Sequence, residues 1–133
     1  MVIDTSAIFA SISKEPDSAI YRSAIKEAPL RLISAITLLQ TRIVLLARIG
    51  EDAIKTLDEL IEQAQIEVVA FDGQQVAIAL GAFKRYGKGR GHPAQLNIID
   101  CAAYALASSR NLPLLFKGND FARTDVKCVL PSR

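Results

Sequence analysis

The chain has 133 residues, half of them apolar, which suits one globular domain, 1–133, and leaves too little for two. Sixteen Lys and Arg against fourteen acids leave a net charge of +2. That balance excludes a polybasic DNA-wrapping protein and an acidic disordered tail, while allowing a local basic surface.

Residues 1–4 form a short apolar run ending in an acid, followed by the polar Thr5 and Ser6 and a helix-like stretch over 7–13. A turn at 14–18 carries capping residues, and Asp17 or Ser18 starts a helix reaching Glu27. Residues 30–33 read as a strand, and Ser34 then caps a long helix to Ile49, closed by Gly50. Residues 51–65 place Ala53, Ile54, Leu57, Leu60 and Ile61 at helical spacing. A β-branched strand over 66–71 precedes Asp72, which caps a helix over 74–86. A loop with three glycines spans 87–93, and another helix runs from 98 to 109. Residues 112–116 are a strand, 117–120 a turn, and 126–130 a last strand. Strands alternating with helices predict an α/β domain with a mostly parallel central sheet and helices on both faces.

The two cysteines, Cys101 and Cys128, lie in apolar segments and read as small buried hydrophobes. The most apolar stretch, 33–49, is interrupted by Gln40, Arg42 and Arg48, which argues against a membrane span. Asp4 stands where a signal peptide would carry basic residues, so the expected location is the cytoplasm.

Three acids fall at informative places. Asp4 ends the first strand, Asp120 lies just past the strand over 112–116, and Asp100 opens a helix between apolar pairs. In an open parallel sheet, ligands sit beyond the carboxyl ends of the strands, where connections diverge. Each acid also has a plain structural use: Asp4 as a helix cap, Asp120 in a turn, Asp100 at the third helical position after an Asn97 cap. Taken together they suggest a cluster whose mutual repulsion a hard divalent ion would relieve.

Six segments, in order, carry a resemblance: Val2-Ile3-Asp4-Thr5-Ser6-Ala7, Ser34-Ala35-Ile36-Thr37-Leu38-Leu39-Gln40, Tyr86-Gly87-Lys88-Gly89-Arg90, His92-Pro93-Ala94, Asn97-Ile98-Ile99-Asp100-Cys101, and the run from Leu114 through Lys117-Gly118-Asn119-Asp120-Phe121 to Asp125. The set resembles PIN-domain ribonucleases of the VapC type, the toxin half of type II toxin–antitoxin pairs. The resemblance implies a PIN-like fold and an endoribonuclease dependent on Mg²⁺ or Mn²⁺, with Asp4, Asp100 and Asp120 as metal-holding acids. It also implies a homodimer and a small DNA-binding antitoxin partner, one of whose arginines enters the acidic crevice.

The family's fourth acid is a Glu closing a Ser-Ala-x-Thr-Leu-x-Glu pattern. Here that position is Gln40, and no acid stands between Glu27 and Glu51 to replace it. Gln keeps the shape and can offer an oxygen, yet it brings no charge, so a weakened enzyme or a catalytically silent binding module are both open readings. A flavodoxin-like nucleotide-binding domain also fits the alternation of elements but accounts less well for the acids.

No acid occurs between Gly73 and Ile99, while Lys84, Arg85, Lys88 and Arg90 gather around the glycines. They suit an RNA backbone, or equally a solvated helix end with cations near its C-terminus. Thr5 and Ser6 could bond a metal-bound water or a phosphate, or simply cap a helix. Asn119 and Asp125 are candidates for supporting the acids, and His92, the lone histidine, suits a loop role.

Overall fold

The computed structural model describes residues 1–131. Four strands, β1 (Val2–Ile3), β2 (Leu32–Ser34), β3 (Glu67–Val69) and β4 (Leu114–Leu115), pair in the order β3-β2-β1-β4, and every pairing is parallel. The expected mostly parallel sheet is thus wholly parallel among the named strands.

Register explains how helices come to cover both faces. Val2 pairs with Leu32 and Leu114, and Ile3 with Leu115. Successive residues of a strand point to opposite sides. Val2, Leu32 and Leu114 therefore join one core with Ala79 and Ala82 of α5 (Gly73–Tyr86) and Ala105 of α6 (Ile98–Arg110). Ile3, Ile33 and Leu115 join the other, with Ile8 of α1 (Thr5–Ile12), Ile25 of α2 (Ser18–Glu27), Leu45 of α3 (Ala35–Arg48) and Leu57 of α4 (Glu51–Gln63). A strand buried on both faces must be apolar at every position, which is why Val2 and Ile3 adjoin without alternation. The alanines of α6 let it lie close to the sheet and α5 at once, and every residue from Cys101 to Ala107 is buried.

Several expectations are corrected. No strand spans 126–130; the segment makes one isolated parallel bridge, Leu114 to Cys128. Val126 packs on the first core, while the neighbours Val129 and Leu130 both pack on the second, whereas a regular strand would send adjacent residues to opposite faces. The strand expected over 66–71 shortens to three residues because it is a half-exposed edge, with Val68 43% exposed. Ser34 occupies the N-cap of α3 but makes no capping hydrogen bond; its hydroxyl is buried and has no partner among the described residues. Cys128 is exposed, and Cys101 alone is the buried thiol.

Gly87 at the end of α5 is required by close approach. A Cβ there would fall 2.4 Å from the Phe83 carbonyl oxygen. The loop beyond closes at its base, where Lys88 N donates to Leu96 O at 2.8 Å and Leu96 N to Tyr86 O at 2.9 Å. That closure places Asn97, and with it the first turn of α6.

Candidate active site

Asp4 leaves the end of β1 and caps α1. Its Oδ2 accepts from Ser6 N at 3.0 Å and from Ser6 Oγ at 2.6 Å. Ser6 Oγ in turn accepts from Lys117 N at 2.9 Å, so one hydroxyl ties the end of β1 to the chain leaving β4. The second carboxylate oxygen, Oδ1, is buried with no hydrogen-bond partner among the described residues. Asp100 forms a reciprocal cap with Asn97: its amide donates to Asn97 Oδ1 at 2.8 Å, and its Oδ2 accepts from Asn97 N at 3.0 Å. Both acids are therefore helix caps as the plain reading held, and both line one open cavity of about 390 Å³.

Gln40 lines the same cavity from α3. Its Oε1 accepts from the hydroxyl of Thr5, the residue that follows Asp4, at 2.9 Å. Phe9, Val44 and Glu15 complete the walls with two cations, Arg48 and Lys117. Lys117 is neutralised by Glu15 and by Asp17 at 3.0 Å. Glu15, Phe9, Arg48 and Lys117 were not among the sequence candidates. For Arg48 a signal existed: residues 40, 44 and 48 follow at four-residue steps, so they share one side of α3.

Thr5 and Ser6 also line this cavity, and the remaining candidates do not. Asp120 is exposed at the start of a short 3₁₀ turn, Phe121–Arg123, and does not line the cavity, yet its charge raises the carboxyls of both Asp4 and Asp100. Asn119 lines a separate cavity with Asp17, Tyr21 and Leu130. Asp125 accepts from the Tyr104 hydroxyl at 2.5 Å and pairs with Arg85 at 3.1 Å, bonds that hold it below the ordinary carboxylate range. It braces α5 against α6 rather than supporting the acids. Arg85 is occupied by that pair and by the Tyr86 ring, 4.7 Å away, whereas Lys84, Lys88 and Arg90 are exposed with no ion pair among the described residues. His92 has the expected loop role, its Nδ1 accepting from Ala94 N at 3.0 Å.

Burial is the first cause of the electrostatics here. It pushes the Asp4 carboxyl above its usual value against the pull of the Ser6 hydrogen bonds. It pushes Asp100 up to about 6, helped by the charges of Asp4 and Asp120. The Cys101 thiol beside them is pushed up to about 11, mainly by burial, so a thiolate nucleophile has no place in the chemistry.

The Asp100 shift has a measurable consequence for the metal-free protein. A carboxyl with a raised folded-state pKa binds a proton more readily in the folded chain. Its contribution favours folding below about pH 4, shrinks as pH rises toward 6, and is gone above that. In EDTA at pH 7, Asp100→Asn, which cannot ionise and still accepts the Asn97 amide, should be about 2 kcal/mol more stable after allowance for solvent screening. Thermal melts should show that gain disappear near pH 4. Identical melting of mutant and parent at both pH values would remove burial as the cause.

The oxygen set facing the cavity fits a hard divalent ion. No three Asp, Glu, His or Cys side chains among the described residues stand as a ready-made metal cage. Mg²⁺ does not require one, since it is commonly held by one or two carboxylates, keeping waters and taking substrate phosphate oxygens as further ligands. Asp4, with its unpartnered Oδ1, and Asp100 provide such a pair, and Gln40 lines the same cavity.

A PIN domain family model matches residues 1–127. The chain is 44% identical over 133 residues to ribonuclease VapC28 of Mycobacterium tuberculosis, with all of both chains covered. The chain belongs to the VapC ribonucleases of the PIN-domain family. Its fold is shared by Mycobacterium tuberculosis VapC20, a toxin that cleaves the sarcin–ricin loop, at a TM-score of 0.80 and 16% identity over 98% of each chain. A toxin–antitoxin complex from Klebsiella pneumoniae matches at a TM-score of 0.67 and 16% identity, over 93% of this chain and 92% of that one. The flavodoxin-like alternative falls with these matches. In this VapC-type chain Asp4 and Asp100 share one cavity, and Gln40 lines it where the resemblance expects Glu.

Proposed function

We propose that this VapC-type protein is a divalent-metal-dependent endoribonuclease, the toxin of a toxin–antitoxin pair, acting in the cytoplasm. The observation that carries the reading is the meeting of Asp4 and Asp100, far apart in sequence, on one cavity, with both carboxyls raised first by burial and further by the charge of Asp120. Mg²⁺ or Mn²⁺ bound there would supply Lewis-acid charge at a phosphodiester and a more acidic water. Asp4 and Asp100 would hold it, Gln40 would add a neutral oxygen, and Asp120 would contribute negative potential from the rim. Ser6 keeps Asp4 aimed by its two bonds, and the Asn97 cap does the same for Asp100. Lys84, Lys88 and Arg90 would add sequence-independent attraction for the rest of the strand. Support comes from the VapC ribonucleases to which the chain is similar along its whole length. Cleavage of single-stranded RNA in Mg²⁺ or Mn²⁺, absent in EDTA, tests the reading. RNA or antitoxin binding with no cleavage in either metal would favour the silent module, the second reading that the uncharged Gln40 supports.

The partner proposal has two parts. A small antitoxin placing a cation in this cavity would neutralise the same carboxylates that attract metal; the Klebsiella pneumoniae structure is a precedent for such a complex on this fold. A homodimer would cover α3, where Leu39, Ile43 and Leu46 are 57%, 57% and 47% exposed. With Ile36 they recur at the three- and four-residue steps of a helix-pairing seam, and Ile36 also opens into an apolar groove of about 470 Å³ against α5 and α6. Leu39→Glu should convert a dimer to a monomer in light scattering; a mutant that stays dimeric places the interface elsewhere. No helix among the described residues is long and apolar enough to cross a membrane.

A further inference from the structure

We propose that Arg48 is the residue that grips the RNA backbone at the wall of the acidic cavity, binding a phosphate through its guanidinium while held over the Phe9 ring. The proposal rests on the endoribonuclease reading and extends it to a substrate contact.

The need comes from charge. The cavity presents Asp4 and Asp100, with Asp120 adding potential from outside, so an approaching phosphodiester meets like charge unless a cation offsets it. Two cations line the cavity, and they are not equivalent. Lys117 already contacts Glu15 and Asp17. Arg48 has no ion pair and no hydrogen bond among the described residues, although Glu15 lines the same cavity. Its one specific contact is aromatic: the guanidinium carbon lies 5.1 Å from the centroid of Phe9.

That contact prepares the group for a ligand. A cation–π contact gives the guanidinium no oxygen acceptor, so its N–H donors stay available as a fixed fork that matches phosphate oxygens two at a time. Phe9 comes from α1, the helix that Asp4 caps, so the brace is mounted on the same element as the proposed metal-holding acid. Gln40, Val44 and Arg48 line the cavity at successive four-residue steps of α3, which extends the wall from the acids to the guanidinium. The helix dipole also favours a cation in this last turn, but that attraction does not require the side chain to lie over Phe9. Phe9 is then a positioning residue, acting through Arg48.

The test uses the full chain in an Asp4→Asn background, where cleavage is blocked and the cavity repels RNA less. Fluorescence anisotropy of a labelled single-stranded RNA is measured across a salt series. Adding Arg48→Ala should weaken binding about tenfold. It should also lower the slope of log affinity against log salt by about 0.7, the value for one phosphate contact on a single strand. Arg48→Lys should restore the slope but only part of the affinity, because it keeps the charge and loses the fork. Phe9→Leu should weaken binding less and leave the slope unchanged. Arg42→Ala is the control on the same helix, since Arg42 pairs with Asp58 at 2.6 Å and does not line the cavity. Unchanged affinity and slope in Arg48→Ala, with the background protein binding RNA, would overturn the assignment of Arg48 alone. An Asp4→Asn protein that binds no RNA, beside a parent that neither binds nor cleaves it, would overturn the endoribonuclease reading and this inference with it.

Discussion

Replacing Asp4 with Asn should lower RNA cleavage in Mg²⁺ or Mn²⁺ by about three orders of magnitude while leaving the fold intact. The size follows from charge: two unit charges about 4 Å apart at an effective dielectric of about 20 interact by roughly 4 kcal/mol, close to three decades in rate. The fold should survive because an amide oxygen can still accept from Ser6 N and keep α1 capped. Metal-free Asp4→Asn should melt above the parent, since the substitution removes a buried carboxylate whose Oδ1 has no partner. Loss of cleavage together with a gain in metal-free stability is the signature of a residue held in a costly state for function. A mutant cleaving at the parental rate would remove Asp4 from the reaction.

Gln40→Glu should act in the opposite direction on both properties. The local geometry is ready for a carboxylate: the Thr5 hydroxyl already donates to Gln40 Oε1 at 2.9 Å and would donate equally to a glutamate oxygen. The new charge would face the same cavity as Asp4 and Asp100, so divalent-ion affinity should rise about tenfold. That is less than the full Coulomb value, because part of it is spent on desolvating a third carboxylate. Cleavage should rise with it, and the metal-free protein should melt lower as like charges accumulate. Isothermal titration with Mn²⁺ and a fluorogenic RNA assay check the two halves separately. No change in either would mean that the neutral amide costs this site nothing, and the idea of a weakened enzyme would be lost. Cleavage that appears only in the mutant would identify the parent as a silent module.

The residues that set the local conformations were readable one by one. Asp4, Asp72 and Asn97 cap helices because a short side-chain oxygen after an extended residue meets the free amides of the first turn, a local interaction that sequence order alone supplies. The apolar pair Val2-Ile3 likewise marked the first strand, whereas the burial of both its faces and of the alanines of α6 became visible only in the packed structure. Element ends were less legible where tertiary packing competes with propensity. The segment over 126–130 has the composition of a strand, yet the adjacent Val129 and Leu130 both pack on one core, which breaks strand alternation, and only a bridge at Cys128 remains.

The sequence by itself determined the class of fold, the caps at Asp4, Asp72 and Asn97, and three acids worth following, because each depends on near neighbours or on a periodic pattern. Tertiary structure alone decided which charges share a cavity. It brought Gln40, Glu15, Arg48 and Lys117 to Asp4 and Asp100, left Asp120 outside the cavity at electrostatic range, and carried Asp125 away to Arg85 and Tyr104. The physical reason is distance: capping acts over one helical turn, whereas a cavity is walled by chain segments joined only through the folding of the sheet and its helices.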